Sequence, residues 1–141
     1  MRFVLDNSVV MRWYFGDGTK SDLAYAAKVL DAMTNATVIV PQVWMLEVAN
    51  VISRAEAKCL TTESRSEAFL EVLNRLNIVT DGFTSNRALS NILQLARRYG
   101  LSAYDAAYLD LAMRENVPLA TLDSDLRRAI KKSGAEIFLG H

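Results

Sequence analysis

Three short apolar runs constrain this chain more than any other feature: Phe3-Val4-Leu5, Thr37-Val38-Ile39-Val40 and Leu119-Ala120-Thr121-Leu122. None alternates strictly between polar and apolar residues, as a half-exposed strand would, so each reads as a strand buried on both faces. The segments between them carry apolar residues at helical spacing, as in Leu23, Ala26, Ala27, Leu30 and Met33. Parallel strands need crossovers of a dozen or more residues, usually helical, and the helices then cover both faces of the sheet. The pattern therefore predicts an α/β fold with a mostly parallel sheet of four to five strands. Two of the runs stop at a carboxylate, Asp6 after the first and Asp123 after the third. In open α/β sheets the crevice at the carboxyl ends of the strands is where ligands bind.

The other elements follow from local signals. A short helix is predicted over 9–15, capped by Ser8, and a second begins at Ser21 or Asp22. Pro41 suits a helix start, and that helix runs over 42–58. Thr61 or Thr62 caps one over 63–76, and Ile78-Val79-Thr80 reads as a further short strand. Thr84 or Ser85 opens a helix that ends at Tyr99-Gly100, where glycine supplies a left-handed cap. Ser102 caps a helix over 103–115, Asn116-Val117-Pro118 is a turn, a last helix spans 124–132, and Ile137-Phe138-Leu139 is a final strand. The count comes to about seven helices, and the 141 residues suit one domain, 1–141, with a sizeable core.

Composition excludes several classes of protein. The formal net charge is zero, so the chain is not a generally basic nucleic-acid coat, and any such contact must come from a local patch. No apolar run approaches the length of a membrane span and a strand begins at once, so neither a membrane segment nor a signal peptide is expected. The single cysteine, Cys59, excludes an internal disulfide and suits a reducing cytoplasm. The single histidine is His141, the last residue. Ser-His-Asp and Cys-His catalysis and histidine zinc sites are thereby removed. Carboxylates, hydroxyls, lysines or bound metals must carry any chemistry.

Four acids stand out. If the first and third runs are neighbours, Asp6 and Asp123 lie about 5 Å apart at one sheet edge, where like charges repel unless a cation offsets them. Turn and cap chemistry is the competing explanation for each. Glu47 sits in Val43-Trp44-Met45-Leu46-Glu47-Val48-Ala49-Asn50, apolar on nearly all sides, with Asn50 one turn on along the same face. It is either a polar notch in a packed helix or part of a solvated stripe. Asp105, in Ser102-Ala103-Tyr104-Asp105, fits a loose capping box as well as it fits a site. Asp125 adjoins Asp123 and has a helix-terminus explanation of its own. Asp31, Glu71, Asp110 and Glu115 read as solvated.

The strand ending in Asp6-Asn7-Ser8, the helix with Glu47-Val48-Ala49-Asn50, the segment from Ser102 to Tyr108 and the strand end Thr121-Leu122-Asp123 occur in an order that resembles a PIN-domain ribonuclease. The compact length is similar to that of the VapC-type toxins of toxin–antitoxin pairs. The resemblance implies a PIN-like three-layer α/β/α fold and an endoribonuclease acting on single-stranded or loop RNA with Mg²⁺ or Mn²⁺. It implies Asp6, Glu47, Asp105 and Asp123 as the carboxylate cluster, supported by Ser8, Asn50, Thr121 and Asp125, and a cognate antitoxin and a homodimer as partners. Oxygen-ligand chemistry agrees: hard divalent cations suit carboxylates without histidine, and such an ion activates water and steadies phosphoryl charge. Hydrolysis of that kind leaves a 5′-phosphate and a 3′-hydroxyl. Arg12 and Arg54, with Arg87, Arg97 and Arg98, are candidates to hold RNA phosphates. Trp13, Tyr14, Trp44 and Met45 are candidates for an apolar groove, with Trp44 expected in the core.

The rivals are weaker. A haloacid-dehalogenase-like phosphatase requires a second aspartate two residues after Asp6, where Ser8 stands. A receiver domain requires adjacent acids and a late lysine, and a dinucleotide site requires a glycine-rich turn after the first strand. A housekeeping PIN nuclease in RNA processing and a PIN-like binding module without catalysis are the remaining alternatives.

Overall fold

The computed structural model describes residues 1–140, and His141 lies outside the described residues. Four parallel strands, β1 (Arg2–Leu5), β2 (Thr37–Val40), β3 (Ile78–Thr80) and β4 (Leu119–Ala120), form one sheet in the order β3-β2-β1-β4. The expected continuous apolar strands are buried as their composition requires: Phe3, Val4 and Leu5 are fully inaccessible, as are Val38, Val40, Leu119 and Ala120. Each of these side chains other than that of Ala120 contributes roughly 1.5–3 kcal/mol of burial free energy.

Seven helices accompany the sheet among the described residues: α1 (Asn7–Phe15), α2 (Lys20–Ala32), α3 (Val43–Ala57), α4 (Glu63–Asn74), α5, α6 (Ala103–Glu115) and α7 (Ser124–Ser133). Helix α5 is continuous but irregular, running as Thr84–Arg87, a π turn at Ala88–Ile92 and Leu93–Tyr99. Its expected glycine cap is present, with Gly100 at φ 64°. The architecture is the three-layer α/β/α arrangement. No helix among the described residues is long and apolar enough to cross a membrane.

Some local expectations fail for identifiable reasons. Ser8 does not cap α1, because the helix begins two residues earlier, at Asn7, and its N-cap position is Asp6. Helix α2 is capped by Thr19 in a reciprocal box with Asp22, not by Ser21 or Asp22. At the start of α7 the cap chemistry belongs to Asp123, which accepts from the Leu126 N–H at 2.8 Å. The last apolar run makes only a single parallel bridge, Leu119 to Ile137. Phe138 instead stacks on Phe3, ring centroids 3.8 Å apart, and closes the core beside β1.

Asp110 departs furthest from its reading as a solvated acid. It is buried on α6 and accepts two hydrogen bonds from Arg87 of α5, from Nε at 2.7 Å and Nη2 at 2.8 Å. Arg87 is accordingly committed within the protein. Removing one member of a buried pair leaves the other charge uncompensated. Asp110→Ala is expected to cost about 2–3 kcal/mol, below the usual figure for breaking a buried pair because Arg87 retains some solvent contact. Urea denaturation measures the effect, and a loss under about 0.5 kcal/mol would contradict the pairing.

Candidate active site

Topology explains why acids from distant segments meet. From β1 the chain steps outward to β2 and β3, then returns to place β4 on the other side of β1. The carboxyl ends of β1 and β4 thus flank the point where strand order reverses, the favoured position for a ligand crevice. Asp6 follows β1 and its N–H donates to the Ala120 carbonyl of β4 at 2.9 Å. Asp123 follows β4. The two strands whose adjacency is the condition for bringing Asp6 and Asp123 to one edge are neighbours in the fold.

Asp6 is buried, and two hydroxyls converge on its Oδ2: Ser8 Oγ and Thr121 Oγ1 each donate at 2.7 Å. Those hydroxyls also accept from the backbone just past the end of β4, Ser8 from the Leu122 N–H at 2.9 Å and Thr121 from the Asp123 N–H at 3.0 Å. The relay ties the end of β1 to the end of β4 and leaves Asp6 little freedom of orientation. Arg127 adds a further tether, donating from Nε to the Thr121 carbonyl at 2.6 Å while stacking over Tyr25.

Glu47 reaches the same region from α3. Its Oε1 accepts from the hydroxyl of Tyr108, a fully buried residue one turn beyond Asp105 on α6. Asp105 occupies the first turn of α6, where its N–H donates to Ser102 Oγ at 3.1 Å. Cap and site roles coexist there, because the cap uses the backbone N–H and leaves the carboxylate free.

Electrostatics shows that these acids share one environment. Burial pushes the Asp6 carboxyl up, the Thr121 and Ser8 hydrogen bonds offset part of the rise, and the charge of Asp123 adds to it. Glu47 is pushed up by burial, held back by the Tyr108 hydrogen bond, and pushed further by Asp6. Asp105 is pushed up to about 7, first by burial and then by the charges of Asp123, Asp6, Glu47 and Asp125. None of Asp6, Glu47, Asp105 or Asp123 pairs with a lysine or arginine among the described residues. Nor do three or more His, Cys, Asp or Glu side chains among them stand in metal-ligating geometry. The carboxylates of Asp6, Glu47 and Asp123 are oriented by protein hydroxyls or a backbone N–H instead, and that of Asp105 is left free.

The remaining sequence candidates separate. Ser8 and Thr121 support Asp6 directly. Asp125 is exposed and ion-paired with Arg128 at 3.0 Å, reaching the cluster only through its charge. Asn50 is exposed and hydrogen-bonds to none of the four acids. Arg12 and Arg54 lie on a groove between α1 and α3 that begins at Asn7 and Ser8. Trp44 is core, as expected, whereas Met45 is exposed.

Sequence reasoning missed Tyr108, which reads as one more apolar position on α6. The signal was its spacing, three residues after Asp105 and so on the same helix face. Tyr108 holds Glu47 in place through its hydroxyl. If Glu47 holds a cation, Tyr108→Phe is expected to weaken Mn²⁺ affinity about tenfold, the range for losing an outer partner of such a group. Isothermal titration calorimetry measures it, and unchanged affinity would remove the role.

The PIN domain family profile matches residues 3–132. The chain belongs to the PIN domain family. No curated protein matches it closely in sequence. Among solved structures it is similar to a Pyrobaculum aerophilum protein, with TM-score 0.63, 19% identity, and coverage of 92% of this chain and 79% of that one. It is also similar to the VapBC2 complex of Rickettsia felis bound to a promoter DNA fragment, with TM-score 0.63, 17% identity, and coverage of 92% and 93%. A toxin–antitoxin complex from Klebsiella pneumoniae matches with TM-score 0.58, 17% identity, and 86% coverage of both chains. At these identities the likeness is one of fold.

Proposed function

We propose that this PIN domain is a Mg²⁺- or Mn²⁺-dependent endoribonuclease that cleaves single-stranded or loop RNA in the cytoplasm. The observation that carries the reading is the convergence of Asp6, Glu47, Asp105 and Asp123 at the strand-order reversal with no lysine or arginine paired to any of them. Four mutually repelling acids in a partly buried crevice fit a hard divalent cation, which prefers oxygen ligands. Asp6, Glu47, Asp105 and Asp123 are the residues that would hold it. When bound, such an ion lowers the pKa of water and steadies charge on the phosphoryl oxygens.

The chain's own groups account for the rest. Ser8 and Thr121 fix Asp6, Tyr108 fixes Glu47, and the backbone N–H of Leu126 fixes Asp123. With no histidine among the described residues, proton transfer falls to carboxylates and water. The fold likeness to toxin–antitoxin complexes supports a role as the toxin partner of an antitoxin protein. Met45 and Leu46 on α3, Phe83 just before α5 and Leu89 within it are exposed apolar side chains, and their exposure supports a homodimer.

End-group analysis of cleaved RNA tests the chemistry. Hydrolysis by activated water leaves a 5′-phosphate and a 3′-hydroxyl, whereas a 2′,3′-cyclic phosphate would overturn the reading.

A further inference from the structure

The groove between α1 and α3 has a composition that its position in the fold does not require. It is open, has a volume of about 600 Å³, and starts at Asn7 and Ser8, immediately beside the acid cluster. Its floor is apolar, formed by Met11, Phe15, Val51 and Ala55. Its rim carries three cations, Arg12, Arg54 and Lys58, against a single carboxylate, Asp17. Arg12 pairs with Asp17 through Nη2 at 3.1 Å. Arg54 and Lys58 are exposed, stand four residues apart on one face of α3, and have no ion-pair partner among the described residues.

Two buried polar atoms on the groove wall also lack a hydrogen-bond partner, Asn7 Oδ1 and Arg12 Nε. Buried polar groups are nearly always paired in folded proteins, so each such atom calls for an explanation. Both belong to residues on the same groove, close to the acids. Cations flanking an apolar floor, continuous through Ser8 with the carboxylates that act on phosphate, complement a single nucleic-acid strand. Phosphates need cations, and an unstacked base needs an apolar or aromatic surface. The volume falls within the roughly 300–1,000 Å³ typical of small-ligand pockets.

We propose that the α1–α3 groove is the path of the RNA strand away from the acid cluster, with one base laid on Phe15 and Val51 and phosphates held by Arg12, Arg54 and Lys58. The assignment rests on the nuclease reading and adds to it where the substrate lies and which residues set KM.

The test is the double variant Arg54→Glu/Lys58→Glu, whose exposed positions leave the core untouched, assayed on a short single-stranded RNA with Mn²⁺. The expected result is a KM raised at least about tenfold with kcat within about twofold, and a salt dependence of kcat/KM weakened by about 1.4 in log–log slope, at ~0.7 per lost phosphate contact. Lys131→Glu/Lys132→Glu, on the last helix, is expected to change neither. Photo-crosslinking of a 4-thiouridine RNA is expected to mark peptides containing Phe15, Val51 or Lys58. A wild type that cleaves RNA while the groove variant keeps its KM, or crosslinks found only outside α1 and α3, overturns the groove and leaves the nuclease intact. Normal RNA kinetics in a groove variant that no longer holds a co-expressed antitoxin makes the groove a protein-docking surface, which also overturns the assignment. A wild type that neither binds nor cleaves RNA removes both readings.

Discussion

Asp6→Asn is expected to lower RNA cleavage about a thousandfold or more while raising the stability of the metal-free protein by roughly 1 kcal/mol. The two effects have one origin. The carboxamide oxygen still accepts from Ser8 and Thr121, so the relay joining β1 to β4 survives. What disappears is a charge whose ionised form is disfavoured by burial and then by the charge of Asp123. Such opposition between stability and activity is characteristic of a group held in an unfavourable environment for its chemistry. A thousandfold loss corresponds to about 4 kcal/mol of transition-state stabilisation, a reasonable share for a ligating, charge-bearing group. Cleavage kinetics and thermal melts in EDTA read the two signs separately. Activity within tenfold of wild type would place Asp6 outside the site.

The second large effect is a dependence of stability on pH and divalent cations, to which Asp105 contributes. Its carboxyl moves from an ordinary value of 3.8 to about 7 in the folded protein, through burial and then the charges of Asp123, Asp6, Glu47 and Asp125. Between those values the native state binds more protons than the unfolded state. The stability from protonated Asp105 is therefore complete below about pH 4 and is lost as pH rises through about 7. In EDTA the wild type is expected to lose on the order of 2 kcal/mol between pH 5 and pH 8 through this group, after allowance for its partial exposure. Asp6 and Glu47, both pushed up, act in the same direction. Mn²⁺ at a hundred times its dissociation constant should restore about 2.7 kcal/mol at pH 8. Asp105→Asn should flatten the pH dependence and abolish most of the cation effect. Melting curves at pH 5 and pH 8 decide it: equal slopes in wild type and variant, or no response to Mn²⁺, would contradict the account.

The parts of this design that were legible in the sequence are those set by local pattern. Continuous apolar runs gave β1, β2 and β4, and the acids closing two of them pointed to one sheet edge, because neighbouring parallel strands bring their carboxyl ends together. Trp44 was legible as core because the stretch around it is apolar. The relations that escaped are long-range. Ser8 satisfies every local criterion for a cap, yet its hydroxyl accepts from the Leu122 N–H across 114 positions, a use that no local pattern encodes. Asp110 looked solvated because its partner, Arg87, lies on another helix. Tyr108 looked apolar because the carboxylate it holds comes from α3. Asn50 shares a helix face with Glu47 and is exposed, without a hydrogen bond to any of the four acids.

The most direct test is cleavage of a structured RNA by wild type, Asp6→Asn and Asp105→Asn, each with Mn²⁺ and with EDTA. The account predicts cleavage by wild type with Mn²⁺ alone, and none by either variant or by any protein in EDTA. Equal cleavage in EDTA, or by either variant, would contradict it.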